Sequence, residues 1–205
     1  DSTYLTYKML RDTDAILHCH HAQVRKCGNT QDQWKMESQA IPKIMKWFKT
    51  NFPKRHIEFT TSRFEYRNQW WPGWDMTYYT IIACEVAKSI FAGDINAEVE
   101  IALGIEKSLV RDPMLVERVK EYMAVMEVIC CRMVPKPTMI KPIVHMDRRE
   151  ILVDLPPDLR ALTWSCRNPQ KVGGTFLPCG RCHSCVELAF VEDRIDNLVR
   201  QPGGV

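Results

Sequence analysis

The chain has 205 residues, 45% of them hydrophobic and 26% charged, and a formal net charge of +3. That length and apolar share can fill a core as one domain with a small appendage, and they exclude a low-complexity or disordered chain. A charge this near neutrality does not predict a nucleic-acid surface, and no apolar run approaches the length of a membrane span.

Read from the first residue, the chain opens at Asp1 without a methionine. Asp1 and Ser2 are helix-capping residue types, and the segment from Ser2 to Leu10 reads as a helix entered directly from them. Ala15 to His20 reads as a short apolar strand. Residues 32–50 carry Trp34, Ile41, Ile44, Met45 and Phe48 at helical spacing, and Ile57 to Thr60 reads as the next strand. Met76 to Val86 reads as a mostly apolar helix, and Ser89 to Ala92 as a buried strand ending at Gly93-Asp94. Residues 112–129 read as an amphipathic helix with Met114, Leu115, Val119, Tyr122 and Met126 inward. Thr138-Met139-Ile140 supplies a last strand before a short helix at 147–154.

Strand and helix alternate throughout, which predicts an α/β fold with a doubly wound, mostly parallel sheet whose ligand sits beyond the carboxyl ends of the strands. Parallel strands need crossover helices between them, so a first strand and turn are expected upstream of Asp1. The Pro156-Pro157 pair marks the expected boundary between an α/β domain (1–155) and a metal-binding segment with a terminal helix near 185–199 (156–205).

The densest chemistry lies in that second part. Cys179, Cys182 and Cys185 stand at two-residue intervals, so three thiolates can converge on one ion, and Cys166 can close a tetrahedron around zinc. All four ligands would be protein, which predicts a structural rather than a catalytic metal; His183, inside the run, is the one competing ligand nearby. An iron–sulfur cluster takes the same four thiolates and is the rival occupant. The chain has nine cysteines and no secretory leader, so a reducing cytoplasm is the expected setting.

The Cys166 and Pro-Cys-Gly-x-Cys-x-x-Cys arrangement, together with an Asp-Ser pair opening a helix, resembles the 7-cyano-7-deazaguanine synthase (QueC-like) family of the PP-loop ATP pyrophosphatases over nearly the whole chain. Pro72-Gly73-Trp74-Asp75 is similar to the family's Pro-Gly-Arg-Asn segment, and Asp147-Arg148-Arg149-Glu150 to its Asn-Lys-Ala-Glu-like position. The resemblance implies an adenine nucleotide alpha hydrolase-like fold. It also implies that Asp1 and Ser2 end a Ser-Gly-Gly-x-Asp-Ser loop whose first four residues precede this sequence. The implied reaction converts 7-carboxy-7-deazaguanine and ammonia to 7-cyano-7-deazaguanine (preQ0) at the expense of ATP, through an adenylated carboxylate.

In that reading Asp1 lies near Mg²⁺, Ser2 near pyrophosphate and Gly93 in a nucleotide-facing turn. Asp94 faces nucleotide or metal, and Arg148 takes the cationic role of the family's lysine. A homodimer is the family expectation. Four departures stand against the pattern: Arg148 for lysine, Trp74-Asp75 for Arg-Asn, Leu188 where arginine is usual after the last cysteine, and His18-Cys19-His20-His21 in place of a more typical aromatic and polar strand end. They leave open a PP-loop relative acting on another acid or a tRNA base, or a zinc-bearing binding module without catalysis.

Four further features have a bland reading beside a functional one. Strand alternation puts His18 and His20 on one face and Cys19 and His21 on the other, which is poor geometry for a single ion and fits histidines satisfied by hydrogen bonds. Cys130-Cys131 are adjacent and awkward to bridge. The Trp70-Trp71-Pro72-Gly73-Trp74 cluster either stacks a purine-like base or fills a loop core. Lys136, Lys141, Arg148 and Arg149 form a basic patch that is either a solvated loop or an anion site.

Overall fold

Each crossover in the chain places an amphipathic helix between two short parallel strands. The structure is a computed structural model that describes residues 1–25, 33–65, 75–91, 98–107, 113–130 and 137–199. Helix α1 (Ser2–Asp12) starts at Asp1 and buries Tyr4, Leu5 and Leu10. It stops at Thr13, whose extended backbone breaks the ladder and whose side-chain hydroxyl donates to the Met9 carbonyl at 2.8 Å. Strand β1 (Leu17–Arg25) pairs in parallel with β2 (Ile57–Glu65), Leu17 opposite Ile57 and Arg25 opposite Glu65, across helix α2 (Gln33–Asn51).

The second half repeats the arrangement. After α3 (Asp75–Phe91), strand β3 (Glu100–Ala102) pairs in parallel with β4 (Thr138–Ile140) across α4 (Pro113–Cys130). The described residues thus form two separate two-stranded parallel sheets, with β1 and β3 not paired to each other. The coarse expectation of a mixed α/β chain with parallel pairing holds.

Two cores flank these strands. One gathers Tyr4, Leu10, Ile44, Phe48, Ile143, Ile151, Leu155 and Leu159, with Leu17, Ile57, Phe59 and Ala102 packed against it. The other gathers Cys84, Ala87, Val99, Ile101, Leu103 and Ile105, with Val119 and Met139 against it. The period-2 alternation of an extended chain explains the split: Val99, Ile101 and Leu103 point to the α3 and α4 side, and Ala102 to the α1 and α2 side. Each fully buried large side chain of this kind contributes about 1.5–3 kcal/mol.

Two expectations are corrected, and the Pro156-Pro157 pair takes a defined form. Ser89–Phe91, read as a strand, is the last turn of α3, and Ile90 is 38% exposed there. An apolar run ending in glycine looks the same in a helix's last turn as in a buried strand; the strand is instead Glu100–Ala102. The strands β1 and β2 run on to Arg25 and Glu65, past the ends read from the sequence. At the Pro156-Pro157 pair the chain forms a single helical turn, α6 (Pro157–Arg160), because proline suits a first helical position. Leu155 before that pair and Leu159 after it share the first core, and Trp47 Nε1 donates to Asp158 Oδ2 at 2.6 Å.

The remaining elements belong to the C-terminal segment. Helix α5 (Arg148–Asp154) is capped by Asp147. Strands β5 (Gln170–Val172) and β6 (Thr175–Leu177) form an antiparallel hairpin that the sequence reading did not contain. Gly173 and Gly174, at φ 56° and 87°, close it as a two-residue turn that needs left-handed backbone at both positions. Helix α7 (His183–Val199) follows. Among the described residues no helix is long and apolar enough to cross a membrane.

Candidate functional site

The four cysteines predicted as ligands come together. One ligand atom from each of Cys166, Cys179, Cys182 and Cys185 lies within 4.8 Å of the others, the only such group of metal-ligating side chains among the described residues. The Sγ atoms of Cys179 and Cys185 are 4.0 Å apart. A tetrahedral zinc–thiolate centre puts its sulfurs about 3.8 Å apart, from Zn–S bonds of about 2.3 Å, so small inward shifts would close these four on an ion.

Local backbone explains the convergence. Gly180 at φ 68° turns the chain after Cys179, a conformation that costs residues with a Cβ about 1–2 kcal/mol. The Cys182 amide then donates to Cys179 Sγ at 3.3 Å, and the Cys179 amide donates to Cys166 Sγ at 3.3 Å. The Cys182 carbonyl accepts from the amides of Cys185 and Val186 at 2.9 and 3.0 Å, which launches α7 out of the turn.

Electrostatics divide the thiols. Burial works against ionisation of Cys182, but the backbone amides of Arg167 and Cys185 prevail and hold it down to about 6. Burial, with the neighbouring Cys182 and Cys166 thiols, pushes Cys185 up to about 12. Thiolates this close repel one another, so they cannot all ionise together without a cation between them. The group can therefore hold a metal ion such as zinc, with every ligand supplied by the chain.

A second cluster lies one helix away. Arg148, at the first position of α5, has its guanidinium Nη1 3.8 Å from Asp1 Oδ1 and its Nε 3.5 Å from Glu187 Oε2 on α7. All three side chains are shielded: Arg148 is 17% exposed, Asp1 32% and Glu187 31%. The separations exceed hydrogen-bonding range, and the buried Nε of Arg148 makes no hydrogen bond. Attraction holds the guanidinium between two carboxylates while its Nε–H stays unspent.

The backbone around Asp1 is close to the end of β3. A methyl group placed on Gly104 would sit 3.5 Å from Asp1 C and Ser2 N, so the turn after β3 lies against the start of α1. Glu106, 4% exposed, follows on the same turn. Sequence reasoning expected a turn at Gly93-Asp94, after the strand that it read at Ser89–Ala92. Gly93 and Asp94 lie outside the described residues, as do Trp70 to Trp74, Cys27 and Cys131. The apolar run Val99 to Leu103, followed by Gly104, was the available signal for the right strand. Glu187 carried none, since its partner is thirty-nine positions away in sequence.

The remaining candidates behave as hydrogen-bonding groups. His18 Nδ1 and Nε2 lie 3.2 Å from Glu58 Oε2 and 2.9 Å from Thr60 Oγ1; His20 lies 2.7 Å from Thr60 Oγ1 and 2.8 Å from Ser62 Oγ. The parallel register sets these residues side by side on one face. Cys19 faces α1, 3.8 Å from Thr6 Oγ1, and burial pushes its thiol up, so it is not an activated nucleophile. Leu188 is half-buried on α7. No family model, no curated protein and no solved structure matches this chain.

Proposed function

We propose that the chain is an ATP-dependent carbon–nitrogen ligase of the PP-loop pyrophosphatase kind, and specifically a 7-cyano-7-deazaguanine synthase-like enzyme braced by a structural zinc. The observation that carries the reading is the meeting of Asp1 and Arg148 at the start of α1, 3.8 Å apart, beside the turn that follows β3. An acid suited to Mg²⁺ and a cation suited to phosphate are paired at a helix N-terminus, whose free amides and partial positive charge favour an anion.

The two parallel pairs are, in this reading, the halves of one doubly wound sheet. Leu17 of β1 and Ala102 of β3 pack against the same core although their strands are not paired, and α3 touches both strands. One further parallel strand, running into the Asp1-Ser2 turn from upstream, would join β1 to β3. The start of α1 would then lie at the topological switch point where such sheets bind ligands.

The chemistry assigns roles to the chain's own groups. Ser2 and the first amides of α1 hold the leaving pyrophosphate, and Arg148 offsets the charge that develops as the substrate carboxylate displaces it. Ammonia attacks the acyl adenylate, gives up a proton and expels AMP to leave the amide; a second ATP adenylates the amide oxygen with release of pyrophosphate, and departure of that oxygen as AMP, with loss of both amide protons, leaves the nitrile. Zinc, when bound to Cys166, Cys179, Cys182 and Cys185, supplies rigidity and no open coordination position.

The test is product analysis with Mg-ATP, ammonium and 7-carboxy-7-deazaguanine. AMP together with a nitrile-bearing base is the expected result. AMP formed only with other acids would select a different substrate within the same chemistry. No nucleotide turnover from zinc-loaded protein would sink the enzyme reading and leave a binding module.

A further inference from the structure

Helix α7 touches both clusters. It begins at His183 directly out of the cysteine turn, with Cys185 in its first turn and Glu187 two residues later. Two residues along an α-helix subtend about 200°, so Cys185 and Glu187 look in nearly opposite directions. Cys185 turns toward the other three cysteines, and Glu187 turns toward Arg148 at the head of α5. The helix is thus a short, stiff spacer between a metal centre and a guanidinium. Ser184, just before Cys185, is buried and its hydroxyl lies 3.4 Å from Arg167 Nε, which ties this first turn to the loop after Cys166.

We propose that Glu187 is a positioning residue for Arg148, and that through it the metal at the four cysteines holds this cation over the start of α1. The proposal rests on the metal-site reading, and its consequence for anion binding rests on the function proposed above. Arg148 emerges from the first position of α5, where its long side chain has many rotamers. The Asp147–Glu150 capping box fixes the backbone there but not the guanidinium. Among the described residues, Asp1 at 3.8 Å and Glu187 at 3.5 Å are the two acids paired with the guanidinium. If Mg²⁺ takes Asp1, Glu187 alone keeps the cation in place.

Release of the metal frees the turn from which α7 starts, so Glu187 loses its fixed position and Arg148 its anchor. Glu187 does not touch the reacting atoms in this scheme.

Hydrogen exchange on the full chain tests this, comparing zinc-loaded and chelated protein in wild type, Glu187→Gln, Arg148→Gln and Glu192→Gln, the last an exposed control on the same helix. In wild type, chelation is expected to speed exchange several-fold at residues 2–6 and 148–152 as well as at 179–187. Zinc-loaded Glu187→Gln should already show the faster exchange at 2–6 and 148–152, with unchanged zinc content and slow exchange at 179–187. Chelating that variant should add nothing at 148–152. Arg148→Gln should reproduce the effect at 2–6, and Glu192→Gln should match wild type.

Wild-type exchange at 148–152 in loaded Glu187→Gln, or equal loosening of both proteins by chelation, overturns the proposal. Inorganic pyrophosphate with Mg²⁺, titrated calorimetrically, separates the two readings. Several-fold weaker binding to Glu187→Gln that no longer depends on zinc supports the coupling. Absence of binding to loaded wild type overturns the anion-site reading, while the exchange pattern still decides the coupling.

Discussion

Tyr4 is 1% exposed, yet its ring carries a hydroxyl that must find a partner. It donates to Asp154 Oδ2 at 2.6 Å, and Arg11 Nη1 reaches the same carboxylate at 2.8 and 3.0 Å, so α1 and α5 are tied by one acid. Burial works to raise the Asp154 carboxyl, but the Tyr4 and Arg11 hydrogen bonds outweigh it and hold the group below its usual range. A depressed folded value means stabilisation that is present above the unfolded value of about 3.9 and is lost as pH falls through the folded one. Asp154→Ala should therefore cost about 1–3 kcal/mol at neutral pH, because Arg11 Nη1 loses this carboxylate and the Tyr4 hydroxyl keeps only the weak acceptor Met146 Sδ at 3.3 Å. Urea midpoints of the two proteins, measured from pH 7 downward, should converge below about pH 4; a gap that stays constant to pH 3 would refute the assignment.

Single residues were legible in the sequence where a local rule governed them. The shared face of His18 and His20 follows from the two-residue period of a strand, and the cysteine group from its spacing, because both depend on neighbours in the chain. The partners of Arg148 did not follow. Asp1 and Glu187 meet it only after three helices have packed, and nothing local distinguishes Glu187 from any other acid on α7.

At the scale of elements, α5 shows how a short helix gets its fixed start. Its seven residues are too few to be stable alone, and the Asp147 side chain accepts from the Glu150 amide at 3.0 Å while Glu150 Oε2 accepts from the Asp147 amide at 2.6 Å. The Asp-Arg-Arg-Glu sequence that suggested a family motif is thus also a capping box, and the second role needs no ligand. Asp147→Ala should destabilise the protein by about 1 kcal/mol, within the range of about 0.5–2 for lost N-caps. Chemical denaturation gives that number, and faster exchange confined to 148–152 would locate it; no change in either would remove the cap from the account. The helix pattern was easy to read because amphipathic periodicity repeats over several turns. Strands of three residues, such as β3 and β4, offer too short a window, and the hairpin of β5 and β6 is exposed along most of its length, so no apolar alternation marked it.

Across the whole molecule, apolar burial accounts for most of the chain, and a metal at the four cysteines would account for the rest. The two cores draw on α1 to α6 and the parallel strands, while the segment from Arg167 to Arg181 contributes no side chain to either. Its hairpin leaves Val172 56% and Leu177 47% exposed, so the hydrophobic effect gives it little reason to stay in place. A metal joining Cys166, before the hairpin, to three cysteines after it would close that loop directly, and structural zinc in small peptides contributes on the order of 10–16 kcal/mol to the folded state. Chelation should therefore open 167–182 to limited proteolysis while α1 to α6 continue to unfold in one cooperative transition. Cys166→Ser should do the same without a chelator, since Cys166 is 3% exposed and is the ligand that anchors the turn to the rest of the chain. Calorimetry before and after chelation, with protease mapping of the cut sites, checks both. Loss of the cooperative transition on chelation would mean that the parallel α/β core depends on the metal as well, whereas unchanged resistance of 167–182 would mean that packing, not the four cysteines, holds the segment.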